Sequence, residues 1–195
     1  MHLPLLLALL LVTPLDAQRK APPPTSKLLP LAEMTNKQAV VETTAGTFII
    51  ELRPDLAPNH VSHFIQHARE GAYDGTVFHR LVKHGIIQGG DPLSKDPSKA
   101  KAYGTGGLGR LTAEFNSEPA TRGAVAAVLQ PGKPDSAGAQ FFVCVSDQPA
   151  LTGKYTFFGR VVEGLDVVDR IEAVPVNGET PTERIEVMRV RVVRP

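Results

Sequence analysis

The chain has 195 residues, 42% of them apolar, enough for one globular domain with a sizeable core. Its 21 basic and 20 acidic residues nearly cancel, which argues against a general nucleic-acid binder. The single cysteine, Cys144, excludes an internal disulfide; it lies in the apolar run QFFVCV and is expected as a small buried residue.

An apolar run from Leu3 to Val12 is too short to span a bilayer and has the length of a signal-peptide core. Residues 1–17 are expected to be a signal peptide, cut after Ala17, which would make the protein periplasmic or secreted. No Lys or Arg precedes the run and Leu15 is large for its place, so an uncleaved membrane anchor is the alternative. Residues 18–37, rich in proline and charge, read as a flexible tether, with the globular domain at 38–195.

AVVETTAGTFIIEL predicts two strands joined around Ala45-Gly46. PNHVSHFIQHAREG predicts a helix: Pro58 suits the first turn, Val61, Phe64, Ile65 and Ala68 share a face, and Gly71 suits the stop. Strand-like runs follow at TVFHRLV, GAVAAVL, AQFFVCVS and YTFFGRVV. LDVVDRIEA predicts a second helix with Leu165, Val168 and Ile171 on one face, and RIEVMRVRVV alternates as a final strand. Many short strands, Gly/Pro turns and two helices predict a mainly β domain, a closed antiparallel barrel.

Several residues invite a chemical reading. His60, His63 and His67 lie along one helical stripe, the last two at chelating spacing, but no carboxylate or cysteine at a fitting spacing completes a metal set. The plainer reading is a solvated polar face, and no metal is expected. GTGGLG at 104–109 resembles a phosphate-cradling loop, yet its flanks supply no strand–loop–helix unit, so a loop hugging the barrel is expected. Ser136 and Ser146 lack the context of an activated nucleophile, and nothing fixes the separation of Asp91 and Glu114 as an acid pair. Arg80 and Gln88 remain. Arg80 sits inside an apolar strand-like run, where it is either an edge residue with its head in solvent or a guanidinium held for a purpose.

FHR followed by QGGD, with YDGTVFHR, YGTGG, Glu114-Phe115, SAGAQFF and LTGKYTFFGRVVEGLDVV in the same order, resembles the cyclophilin family of peptidyl-prolyl cis–trans isomerases. The likeness runs from about Ala39 to Val193 and points to the compact bacterial type. It implies a closed eight-stranded antiparallel β-barrel capped by two α-helices, with no metal or organic cofactor. It implies proline-containing unfolded or flexible polypeptides as partners, no nucleic acid, a membrane only if the N-terminal segment stays uncleaved, and a monomer.

By the same resemblance Arg80 is the catalytic group and Gln88 its positioning partner. His79, Ile86, Gln140, Phe142, Leu151 and Tyr155 would contact substrate, with Phe142 and Leu151 lining a proline pocket. Ile86 replaces the usual methionine and Tyr155 a frequent histidine. Gly85 stands where the family has a pocket phenylalanine, and Ala150 where drug-sensitive members have tryptophan, so weak cyclosporin binding is expected. The stretch AAVLQPGKP is about one residue longer than the family pattern, which leaves Val128, Leu129 and Gln130 unassigned beside the groove. The expected activity is isomerisation of X-Pro bonds during folding of exported proteins. A non-catalytic or weakly catalytic proline-peptide binding module is the alternative, motivated by Gly85 and Ala150.

Overall fold

The computed structural model describes residues 27–195. The signal peptide expected at 1–17, and the tether up to residue 26, lie outside the described residues. The rest of the expected tether is seated on the domain. Leu31–Met34 forms a turn of helix, α1, whose Met34 is buried. Leu29 N–H donates to Ser62 Oγ at 2.9 Å, and Arg69 meets Glu33 at 2.9 Å. The packed unit therefore begins before Gln38. A four-residue turn is too short to show periodicity, which is why the sequence hid it.

Strands β1 (Gln38–Thr43) and β2 (Gly46–Leu52) form the expected hairpin, closed by a two-residue loop at Thr44 and Ala45. Helix α2 (Pro58–Arg69) follows, with Val61, Phe64, Ile65 and Ala68 buried as the periodicity required. Phe64 enters an aromatic cluster with Tyr73 at 4.9 Å and Phe158 at 5.5 Å between ring centroids. Strands β3 (Arg80–Val82), β4 (Ile86–Gly89), β5 (Ala124–Ala127), β6 (Phe141–Cys144) and β7 (Phe157–Glu163) come next. Helix α3 (Leu165–Ala173) buries Val167, Val168 and Ile171, with Leu165 packed at the core's margin. A small hairpin, β8 (Val176–Asn177) and β9 (Thr180–Pro181), precedes the last strand, β10 (Val187–Val193).

Eight strands make one antiparallel sheet in the order β10-β1-β2-β7-β5-β6-β4-β3. The sheet curls but is open, which corrects the expected closed barrel. Among the described residues backbone bonds cross the seam only ahead of β3 and no further into β10 than its first residue: Phe78 N–H donates to Ile185 O at 3.0 Å, Val187 N–H to Thr76 O at 2.8 Å and Gly75 N–H to Val187 O at 2.8 Å. Beyond that point β3 offers its free edge elsewhere: Leu81 N–H donates to Glu179 O, at the tip of the β8–β9 hairpin, at 2.8 Å. A backbone group already bonded to the hairpin cannot extend a ladder to β10.

Strands β5 and β6 are buried on both faces, so their side chains divide between two apolar clusters. Val125, Ala127, Phe141 and Val143 face the main core, which α2 and α3 cover. Ala124, Ala126, Phe142 and Cys144 face the other way and, with Phe157, form a smaller cluster edged by Ile86, Val128, Leu151 and Tyr155. Cys144 is buried as expected, and burial pushes its thiol up to about 12, far from a reactive thiolate. Among the described residues no helix is long and apolar enough to cross a membrane.

Candidate active site

The sheet register builds the site. Arg80 pairs with Gln88, Gln88 with Phe142, and Phe142 with Ala126, across β3, β4, β6 and β5. Side chains of directly paired residues leave the same face of a sheet, about 5 Å apart. A cation, an amide, an aromatic ring and a methyl group thus stand in one row. The neighbouring row, Leu81, Ile87, Val143 and Val125, points into the main core.

Arg80 lies on an edge strand, as its plainer reading had it, but its head is fastened. Nε donates to Glu179 Oε2 at 2.6 Å and Nη1 donates to Gln88 Oε1 at 3.1 Å. The guanidinium has five N–H donors, so three stay uncommitted. Gln88 is buried, and its Nε2 donates to Gln140 Oε1 at 2.9 Å and reaches His79 Nε2 at 3.4 Å. His79 is buried too, and burial holds its imidazole below the ordinary value, so it stays neutral and accepts at Nε2. With both amide hydrogens of Gln88 engaged, its oxygen orients Arg80. Gln140, expected among the substrate contacts, is 1% exposed and donates from Nε2 to Gly106 O at 2.7 Å, so here it braces Gln88 from below.

These residues border an open cleft of about 1170 Å³. Its apolar end is floored by Phe142, with Ile86, Leu151, Val128 and Tyr155 around it. Tyr155 stands edge-on to Phe142 at 5.2 Å, and Phe157 backs the same ring at 6.3 Å, both near 90°. His79, Arg80 and Gln88 line the same cleft, so five of the six expected substrate contacts and both expected catalytic residues converge on it. Where the family pattern has phenylalanine, Gly85 leaves a gap that Val82 partly fills: a Cβ on Gly85 would lie 3.0 Å from Val82 Cγ1. Val128, Leu129 and Gln130, unassigned in the sequence, all form cleft wall.

The GTGGLG loop is a cradle after all, but for the protein's own carboxylate. Asp91, fully buried, accepts from Gly104 N–H at 2.5 Å, Gly106 N–H at 3.2 Å and Leu93 N–H at 2.7 Å. This fixes Gly104, Thr105 and Leu108 as cleft wall. The SAGAQFF glycine has a matching reason: a Cβ on Gly138 would lie 1.9 Å from Gly107 O, so only glycine admits the loop.

Glu114, the other half of the suggested acid pair, serves helix α2. Its carboxylate accepts from the Asn59 and His60 backbone N–H groups, both at 3.0 Å, and from His60 Nδ1 at 2.6 Å. Burial alone would push this carboxyl up, but the bonds from His60 and Asn59 outweigh it and hold it below the usual range. The histidine stripe is not the solvated face expected of it, because His60 and His63 are 2% and 6% exposed. His63 stacks on His67 at 3.9 Å between centroids. Among the described residues no three metal-ligating side chains gather. Ser136 donates to Lys133 O, as turn-forming hydroxyls do, and Ser146 to His84 O, which ties two distant segments together.

Glu179 was missed by the sequence reading. Asn177-Gly178 signals a turn there, with Gly178 (φ +65°) at the first turn position and Glu179 at the second, but nothing local marks the pairing with Arg80.

The sequence pattern of a family described as cyclophilin type peptidyl-prolyl cis-trans isomerase/CLD matches residues 39–192. Peptidyl-prolyl cis-trans isomerase-like 1 of Neurospora crassa is 39% identical over 155 residues, covering 79% of this chain and 93% of that protein. Peptidyl-prolyl cis-trans isomerase CYP18-2 of Arabidopsis thaliana is 33% identical over 157 residues, covering 80% and 93%. Among solved structures, a cyclophilin type peptidyl-prolyl cis-trans isomerase of Cryptosporidium parvum, crystallised in the presence of the dipeptide Ala-Pro, superposes with a TM-score of 0.70 at 26% identity. That match covers 78% of this chain and 96% of the other.

Proposed function

The chain belongs to the cyclophilin-type peptidyl-prolyl cis-trans isomerase family, and we propose that it speeds X-Pro rotation in proteins folding outside the cytoplasm, with Arg80 as the catalytic group. The planar peptide bond resists rotation by roughly 18–20 kcal/mol because the nitrogen lone pair is shared with the carbonyl. Half-way through the twist that sharing is lost and the lone pair sits on the proline nitrogen. A fixed N–H donor aimed there bonds the twisted state better than either planar one, which lowers the barrier with no covalent step. Arg80 has uncommitted donors for this, and Gln88 and Glu179 restrain its plane. Phe142, Ile86 and Leu151 would seat the proline ring, so one side of the bond stays fixed while the other turns. No base or nucleophile is needed.

The observation that carries this reading is the row Arg80–Gln88–Phe142, set by backbone register. The Ala-Pro dipeptide of the Cryptosporidium structure supports proline peptides as substrate class. The compact bacterial type, the monomeric state and export belong to the same proposal, export resting on the apolar run Leu3–Val12. Two measurements test it. Two-dimensional NMR exchange on an X-Pro peptide should show catalysed interconversion, and Arg80→Ala should lower it at least about tenfold, since loss of one transition-state donor typically removes more. Peptide binding without exchange enhancement would establish the binding module instead. Mass spectrometry of the protein from its own cells should find an N-terminus after Ala17; an intact cytoplasmic chain would refute export.

A further inference from the structure

Resting on the isomerase reading, we infer that Glu179 is a positioning residue for catalysis, holding the Arg80 guanidinium in its working plane. Arg80 starts from an unfavourable place for a precise donor. It is carried by a three-residue edge strand, and its side chain is 41% exposed. A long, mobile side chain so placed spends much of its time in water unless it is anchored. The bond from Nη1 to Gln88 is one anchor, but a single bond leaves the guanidinium free to swing about it. The bond from Nε to Glu179 is on a different nitrogen, and two bonds on two nitrogens fix a rigid plane. It is also the shorter of the pair, at 2.6 Å against 3.1 Å, and the one whose acceptor is a carboxylate.

The hairpin that carries Glu179 is itself tied to the strand that carries Arg80. The Glu179 carbonyl accepts from Leu81 N–H at 2.8 Å, so the backbone bond and the side-chain bond act on adjacent residues of β3. No catalytic proton or lone pair comes from Glu179; it works through Arg80. Because both partners are about half exposed, the pair contributes little to overall stability, and its removal should act on turnover and not on folding.

The test is a cycle of four proteins, wild type, Glu179→Ala, Arg80→Ala and the double variant, with Glu179→Gln as a fifth. Exchange rates and peptide affinity are measured by NMR on a proline peptide, and thermal unfolding is followed alongside. Glu179→Ala should lower kcat about five- to tenfold while peptide affinity stays within twofold and unfolding is unchanged. Glutamine keeps an oxygen that accepts from Nε, so Glu179→Gln should recover at least half of the lost rate. In the Arg80→Ala background the alanine at 179 should have no further effect. The inference is overturned if Glu179→Ala stays within twofold of wild type, if glutamine fails to recover the rate, or if the loss persists without Arg80. A wild-type protein with no exchange activity would instead sink the isomerase reading itself, which the wild-type and Arg80→Ala arms report separately.

Discussion

Replacing Asp91 by alanine should weaken the protein far more than the loss of one carboxylate at an ordinary position. Asp91 is fully buried and accepts three backbone N–H groups, from Leu93, Gly104 and Gly106. Hydrogen bonds to a charged acceptor contribute about 1.5–3 kcal/mol each, and a buried amide left unpaired costs about 1–3 kcal/mol. The three share one carboxylate, and water entering the alanine gap can satisfy part of the loss, so the net cost is about 3–5 kcal/mol. Domains of this size lose about 2–4 °C of Tm per kcal/mol, which gives a fall of about 10 °C. Urea unfolding followed by circular dichroism measures the free energy. Amide hydrogen exchange at Gly104 and Gly106 reports whether the loop has come loose. Because Gly104, Thr105 and Leu108 are cleft wall, peptide affinity should fall while most of the protein is still folded. A loss below about 1 kcal/mol, with both glycine amides still protected, would refute the account of this loop.

Phe142→Ala should raise the KM for proline peptides about tenfold, since losing roughly 60 Å² of apolar contact with a proline ring is worth about 1.5 kcal/mol. Unchanged KM in a folded Phe142→Ala protein would remove Phe142 from the pocket floor. Acid should destabilise the fold through His63, whose ring is pushed down to about 3, first by burial and then by His67, His60 and Arg110. The sign follows from proton uptake: below pH 6.5 the unfolded chain binds a proton that the folded ring refuses. Stability is therefore lost as pH falls from 6.5 towards 3, by up to about 1.4 kcal/mol per pH unit, and Glu114, also held low, adds in the same direction. Urea midpoints at neutral and acid pH should show a shallower slope in His63→Leu, and an equal slope would count against the assignment.

The local elements were legible because their signals are local. The β1–β2 hairpin and the α2 face follow from turn dipeptides and a 3.6-residue spacing that no distant contact overrides. Phe141 and Phe142 show where this stops. Both residues sit in FFVC, apolar throughout, so alternation carries no information, and only pairing with β4 decides which ring faces the cleft. The motif alone, through the family resemblance, singled out Phe142. Gln140 shows a related limit: a motif marks a residue as needed without saying whether it meets substrate or its neighbour. Glu179 lies 99 residues from Arg80, and a charged residue at a hairpin tip reads as solvated until a partner is seen. The open seam was illegible because closure depends on which group occupies the free edge of β3, a matter of tertiary packing.

The placement of the row explains how an edge arginine can serve a reaction that needs a fixed reference. Rotation about a peptide bond is productive only if one side is held while the other turns. The holding side falls on β6 and β5, central strands buried on both faces, where the small Ala124 and Ala126 leave Phe142 backed by Phe157. Interiors packed in this way are stiff. The charged side falls on β3, at the sheet's margin, where a guanidinium keeps part of its hydration and can stand beside the nitrogen of the held ring while the acyl side turns. An arginine on β6 would have had to be desolvated, at a cost that no single bond offsets. An anchor at the rim is therefore what the edge position requires, and Gln88 from within the sheet and Glu179 from outside it supply that anchor from two directions.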